Sequence, residues 1–342
     1  MQFVPPARGI ARLISPAGFL SKEAETILVN VKEKTVRHES WFAKGRVVAA
    51  LLLPLVCGFW LVRASDHSDA PQSGTLIRQD ANLSDLHAFV KGSNLVIALS
   101  TNVAIPKSAA SYTFPSDVTF EINVDVDSRV DTSSDPLGDG GVILDPQRIS
   151  EDVTFRIRFR PDGSAKVQRI ARGGLRDDAQ LVSFFAGLRD DPFIRIPRDS
   201  RNVGSMVLEV PLSSLVERQS TLLIWATAQV DTFDGAFQEM VGRSLRSMFP
   251  EQGGMNLMSP KHHFSRLGLR PDVMIFDTSR PAAFPNGRAP TDDVILLACT
   301  LGNECRVFNS EAAGRVGFNP RSNDLPYLDT FPYLATPHPP VP

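Results

Sequence analysis

The sequence predicts a mainly β protein: an antiparallel β-sandwich-like exported domain with a few helices, preceded by one transmembrane helix. Three observations carry this expectation. A charge-free apolar run separates a basic segment from an acidic remainder. Beyond it, apolar and polar residues alternate at a period of two, which buries one face of a strand and wets the other. Turn signals rich in Gly, Pro, Asp and Asn divide these stretches at sandwich-like spacing.

The first 46 residues hold eight Lys/Arg and four Glu, a net of +4, whereas the rest holds 28 basic and 34 acidic residues, a net of −6. Basic before an apolar run and acidic after it is the positive-inside pattern. The run is Val47 to Val62, sixteen residues, with Lys44 and Arg46 before it and Arg63 after it. A spanning helix needs roughly 17–25 residues. Interfacial Trp60 and a snorkelling Arg63 supply the difference. The expected organisation is a basic cytoplasmic tail (1–46), a transmembrane anchor (47–63) and a periplasmic β-rich domain (65–338) of a single-pass protein in the bacterial inner membrane. The alternative is a cleaved signal segment, because Val62-Arg63-Ala64 before Ser65 has a small-residue cleavage pattern. Either reading exports the domain. In the tail, Ala24, Ile27, Leu28 and Val31 share one helical face, which suits a short amphipathic helix on a membrane surface or a partner subunit.

After Ala64 the texture is strands and turns. Leu95–Ser100 reads as a buried strand. Val118, Phe120, Ile122 and Val124 alternate with polar residues, as do Val153, Phe155, Ile157 and Phe159. Pro161-Asp162-Gly163 turns the chain into Ala165–Ile170, a hairpin. Further strands are expected at Met206–Val210, Leu222–Val230 and Val294–Cys299, and helices at Asp177–Gly187 and Phe237–Met248. The Pro-rich stretch from Asn319 reads as irregular chain on the surface.

Of 342 residues, 42% are hydrophobic, enough for a sizeable core, and the net charge of −2 argues against nucleic-acid binding. Of three cysteines, Cys57 lies in the apolar run, while Cys299 and Cys305 are expected to form a small disulfide outside the cytoplasm, with two buried thiols as the alternative. The sequence contains no nucleophile elbow, phosphate loop, zinc-protease helix or dinucleotide fingerprint.

Five segments in order carry a resemblance: Ser65–Pro71, Asp80–Phe89, Phe185–Phe193, Phe284–Val294 and Phe331–His338. Together they resemble the uncharacterised bacterial domain-of-unknown-function family 4331, over about residues 65–338. The resemblance implies export and a mostly β fold, and no activity. Two features depart from it: Asp66 stands between Ser65 and His67, where family members carry Ser-His, and the basic tail is outside the family pattern.

Two constellations are candidate metal sites. Asp125, Asp127 and Asp131 offer oxygens at alternating positions just beyond a strand, the spacing a hard cation such as calcium takes. Arg129 is wrong for a ligand within that loop, and its terminal Glu is absent. Asp66, His67, Asp69, Asp80, Asp85 and His87 combine imidazole and carboxylate, which suits a transition metal if the two segments pair. Asp190-Asp191 before Pro192 reads as a turn, Asp292-Asp293 as carboxylates on opposite faces, and His262-His263 as an exposed pair. These readings lead to two expectations: a non-catalytic extracytoplasmic binding or accessory module of a larger membrane complex, respiratory or photosynthetic for example, or a metal-dependent periplasmic enzyme.

Overall fold

A computed structural model describes residues 78–135, 138–171, 174–176, 181–194, 201–215, 220–232, 235–244, 252–301 and 321–341. The tail, the apolar run with Val47, Trp60 and Val62, Asp66, His67, Asp69 and Cys305 lie outside the described residues. No helix among the described residues is long and apolar enough to cross a membrane.

The strands are β1 (Leu83–Lys91), β2 (Asn94–Thr101), β3 (Val118–Asp125), β4 (Val130–Asp131), β5 (Val142–Ile143), β6 (Val153–Phe159), β7 (Ala165–Ala171), β8 (Gly174–Arg176), β9 (Ser183–Asp190), β10 (Asn202–Pro211), β11 (Thr221–Thr232), β12 (Gly235–Val241) and β13 (Met274–Asp277). One sheet has the order β1-β2-β10-β9. The larger has the order β12-β11-β3-β6-β7-β8, with β13 in line with β12 along the free edge of β11. Every described pairing is antiparallel.

The alternation seen in the sequence sets the packing. Phe120, Ile122 and Val124 of β3, Phe155 and Ile157 of β6, and Ile224 and Ala226 of β11 share one buried cluster with Leu86, Ile97, Leu99, Met206 and Leu208 of the other sheet. Each of the larger of these side chains contributes about 1.5–3 kcal/mol by leaving water. Two sheets sharing one apolar core is consistent with the expected sandwich. On the outer face of the larger sheet, directly opposed residues pair: the half-exposed Arg156 donates to Glu121 at 2.6 Å, and the buried Thr154 to the buried Asn123 at 2.7 Å.

In the smaller sheet β1, β2 and β10 are dry on both faces, whereas β9 is half-buried. On its outer face Phe89, Val96, Ala98 and Val207 pack against Leu334. The Pro-rich chain that was expected on the surface is irregular, but it forms a strap across this face, with Leu334 and Ala335 buried.

Three other expectations are corrected. Ser183–Asp190, which overlaps the expected helix Asp177–Gly187, is a strand paired with β10. Gly235–Val241, in place of a helix from Phe237, is a strand paired with β11. In both cases an unpaired sheet edge overrides local propensity. Conversely Val294–Leu301 is a helix. Asp293 accepts a hydrogen bond from the Leu296 amide at 3.2 Å, the N-cap geometry that starts it. Cys299 therefore lies in a helix, not a strand.

Candidate functional site

β1 carries Asp85, His87 and Phe89 at alternate positions, so the three point away from the shared core. The loop after β13 brings a cation to them. Gly287, at φ +66°, passes so close that a Cβ there would lie 2.7 Å from Phe276 and 2.8 Å from the Ala88 carbonyl. That approach lets Arg288 and Ala88 exchange backbone hydrogen bonds of 3.0 and 3.1 Å. The Arg288 side chain then runs inward. Its Nη2 lies 2.7 Å from Asp85 Oδ1, with the two side chains 1% and 0% exposed. Its guanidinium sits 5.6 Å from the Phe193 ring centre.

His87 is 1% exposed, and neither ring nitrogen has a hydrogen-bond partner among the described residues. Burial, reinforced by the Arg288 charge, drives its pKa well below the usual histidine range, so the ring is neutral. A neutral imidazole with an open nitrogen is chemically a ligand or an acceptor. The sequence-predicted pair Asp85 and His87 is thus brought together, facing Arg288, which sequence reasoning had not selected.

A second group lies where β9 ends. Asp191 is ion-paired with Arg201. His338 of the strap places Nε2 3.1 Å from Asp190 and 3.1 Å from Asp324. Asn202 on β10 fixes the strap here, accepting from the His338 amide at 2.8 Å and donating to its carbonyl at 3.1 Å. Burial pushes the Asp190 carboxyl up to about 7, against the hydrogen bond from Asn323 that lowers it. Tyr327 donates to the Pro192 carbonyl at 3.2 Å, and burial raises its pKa. One ligand atom from each of Asp190, Asp324 and His338 fits within 4.8 Å, close enough to hold a metal ion. Nothing local in the sequence links these residues, because they come from distant segments.

The acidic loop is built differently. Asp125, Asp127 and Asp152 form a second set of ligand atoms within 4.8 Å of one another. Asp131 is not in it; its carboxylate accepts from the amide and hydroxyl of Ser133. Asp152, which was not selected from the sequence, takes that place. Asp125 Oδ1 accepts from the amides of Asp127 (3.1 Å) and Ser128 (2.8 Å). Its Oδ2 accepts from the Ser128 hydroxyl (2.7 Å) and the Ser150 amide (2.8 Å). Four donors fill the roughly four lone-pair positions of a carboxylate. Burial raises the pKa of Asp125 and these donors oppose the rise.

His263 is buried rather than exposed. Its Nδ1 accepts from the Asp272 amide at 3.1 Å, so Nε2 is the protonated nitrogen and donates to the Met255 carbonyl at 3.1 Å. Asp292 accepts from the amides of Phe284 and Ala289 and shapes the Gly287 loop.

Four of the five segments that carried the resemblance meet on this one face: β1, the end of β9, the Gly287 loop and the strap. Comparisons with protein-family models, curated proteins and solved structures return no match.

Proposed function

We propose that the chain is a membrane-anchored extracytoplasmic binding or accessory module, a non-catalytic subunit of a larger bacterial membrane complex, and a member of family 4331. One observation carries this reading. On the strap-covered face the charged groups engage each other, Arg288 with Asp85, Arg201 with Asp191, and His338 with Asp190 and Asp324. Charges engaged in this way hold a surface in shape. The basic tail and Val47–Val62 supply the anchor, and the domain lies in the periplasm. Gentle detergent extraction followed by identification of co-purifying chains is the direct test. Deleting residues 2–40 should leave the domain folded and inserted but release it from its complex on a native gel. A truncated chain that keeps every partner refutes the docking role of the tail.

The second reading, a metal-dependent enzyme, is favoured by the mixed imidazole–carboxylate set Asp190, Asp324 and His338. A stoichiometric transition metal in the purified chain, lost in His338→Ala, would establish it. The carboxylates that would hold calcium are Asp125, Asp127 and Asp152, whose ligand atoms lie within 4.8 Å of one another. There it must displace donors already on Asp125. A melting temperature that rises with calcium and falls with chelator would support it.

A further inference from the structure

We propose that the turn-rich segment 252–270 is a docking tip for an anionic lipid surface. Its inner side is fixed. Met255, Asn256 and His263 are fully buried, and Met255 packs with Leu223 and Trp225 on the outer face of the larger sheet. Gln252 donates to Asn256 at 2.8 Å and to Asp272 at 3.1 Å. With His263 held at both nitrogens, the segment is braced from within. A helical turn at Gln252–Met255, a 3₁₀ turn at Pro260–His262 and a π-helical turn at His263–Leu267 follow, closed by Gly268 at φ +68°.

The outer side is apolar and basic. Leu257, Phe264 and Leu267 are 62%, 55% and 38% exposed. These are three of the seven exposed large hydrophobics among the described residues, gathered within eleven positions. A braced segment that still holds a Phe and two Leu in water marks an interaction site. From Gln252 to Arg270 the sequence holds Lys261, Arg266 and Arg270 and no acidic residue. Arg270 is ion-paired with Asp139, which leaves the exposed Arg266 and the half-buried Lys261 as the remaining cations, while the exposed Glu151, which accepts from Ser259 at 3.0 Å, is the one acidic group seen to touch the segment's outer side among the described residues. The chain from Val47 onward is net −6. An anionic surface therefore repels the domain as a whole and attracts this tip.

Lipid fits better than protein. Three side chains are far too little apolar area for a stable protein interface. Shallow insertion of Phe and Leu beside phosphate-facing Lys and Arg is how interfacial segments hold to anionic bilayers. The inference gains its setting from the anchored reading but rests on the tip itself.

Amide exchange of the full-length chain tests it, in discs of phosphatidylcholine alone and of phosphatidylcholine mixed with phosphatidylglycerol. Peptides covering 256–269 should exchange several-fold more slowly in the mixed discs, and Lys261→Glu with Arg266→Glu should remove the difference. Arg266, Phe264 and Leu267 are exposed and Lys261 is half-buried, so both pairs of substitutions, these and Phe264→Ser with Leu267→Ser, fall outside the buried core. Equal exchange in the two discs overturns the proposal. Slowing that needs added membrane proteins overturns it in favour of a protein partner. A chain that leaves the discs refutes the anchor instead. Flotation with mixed vesicles that Lys261→Glu with Arg266→Glu weakens then supports the tip, and flotation unchanged by these substitutions, which leave the basic tail intact, overturns it.

Discussion

Asp85 and Asp125 are both buried carboxylates, and the two regions around them solve the same problem in different ways. Asp125 is surrounded by its own neighbourhood: three backbone amides and one hydroxyl, from residues 127, 128 and 150. Asp85 faces a full opposite charge that arrives from Arg288, some two hundred residues further along the chain. A carboxylate held by amides is braced by a loop and adds local rigidity. A carboxylate facing a distant guanidinium ties two segments together, and its stability depends on both. The first can be altered with local consequences, and the second cannot.

Removing the cation is the strongest way to break this contrast. Arg288→Met leaves Asp85 in a dry site and should cost about 3–5 kcal/mol, read by urea denaturation. Adding Asp85→Leu should recover much of that loss, because a buried pair replaced whole by apolar groups is often neutral. If the double variant is as unstable as the single one, Arg288 acts through something other than Asp85. Next in size is the loop that delivers Arg288. Gly287→Ala places a Cβ against Phe276 and the Ala88 carbonyl at a positive φ, and should cost about 1–3 kcal/mol. Asp125→Asn should cost about 1–3 kcal/mol, through unmatched donors. Asp131→Ala, which touches only its own turn, should leave the denaturation midpoint unchanged. Equal effects at 125 and 131 would show that the loop is not organised around Asp125.

The smallest effect is a pH slope. The Asp190 carboxyl titrates near 7 in the fold, above its value of about 3.9 in an unfolded chain. The fold therefore holds the proton more tightly. The associated stability is fully present below about pH 3.9 and is lost as pH rises through about 7. Melting temperatures of the native chain should fall between pH 4 and 7 more steeply than those of Asp190→Asn. Parallel curves would mean that Asp190 does not carry the slope.

Much of the larger sheet was legible, because β3, β6 and β7 show the period-two pattern of one wet face. β1 was missed as a strand for the opposite reason: it is buried on both faces, and its Asp85 and His87 break the apolar run that a two-sided strand normally shows. The helix at Val294–Leu301 was misread from its apolar run, although Asp293 just before it is an N-cap signal. At the site, Asp125 with Asp127 and Asp85 with His87 were visible as local clusters. Their partners Asp152 and Arg288 were not, nor was the grouping of Asp324 and His338 with Asp190, since only the tertiary fold brings these residues near. His338 ends the last of the five segments that carry the family resemblance, but nothing in its neighbours points to Asp190.

The strap also changes how freely different strands can vary. β6 keeps one partly wet face, and Arg156 and Arg158 there can be exchanged for other polar residues with little consequence. β2 is buried from Leu95 to Thr101 without interruption, and β10 from Asn202 to Val210. Because the strap covers their second face, almost every position in these strands is constrained from two sides. Substitutions should therefore accumulate on β6 and β7 and be purged from β2 and β10. The covered face trades evolutionary freedom for a closed polar site, and the residues of that site must change together or not at all.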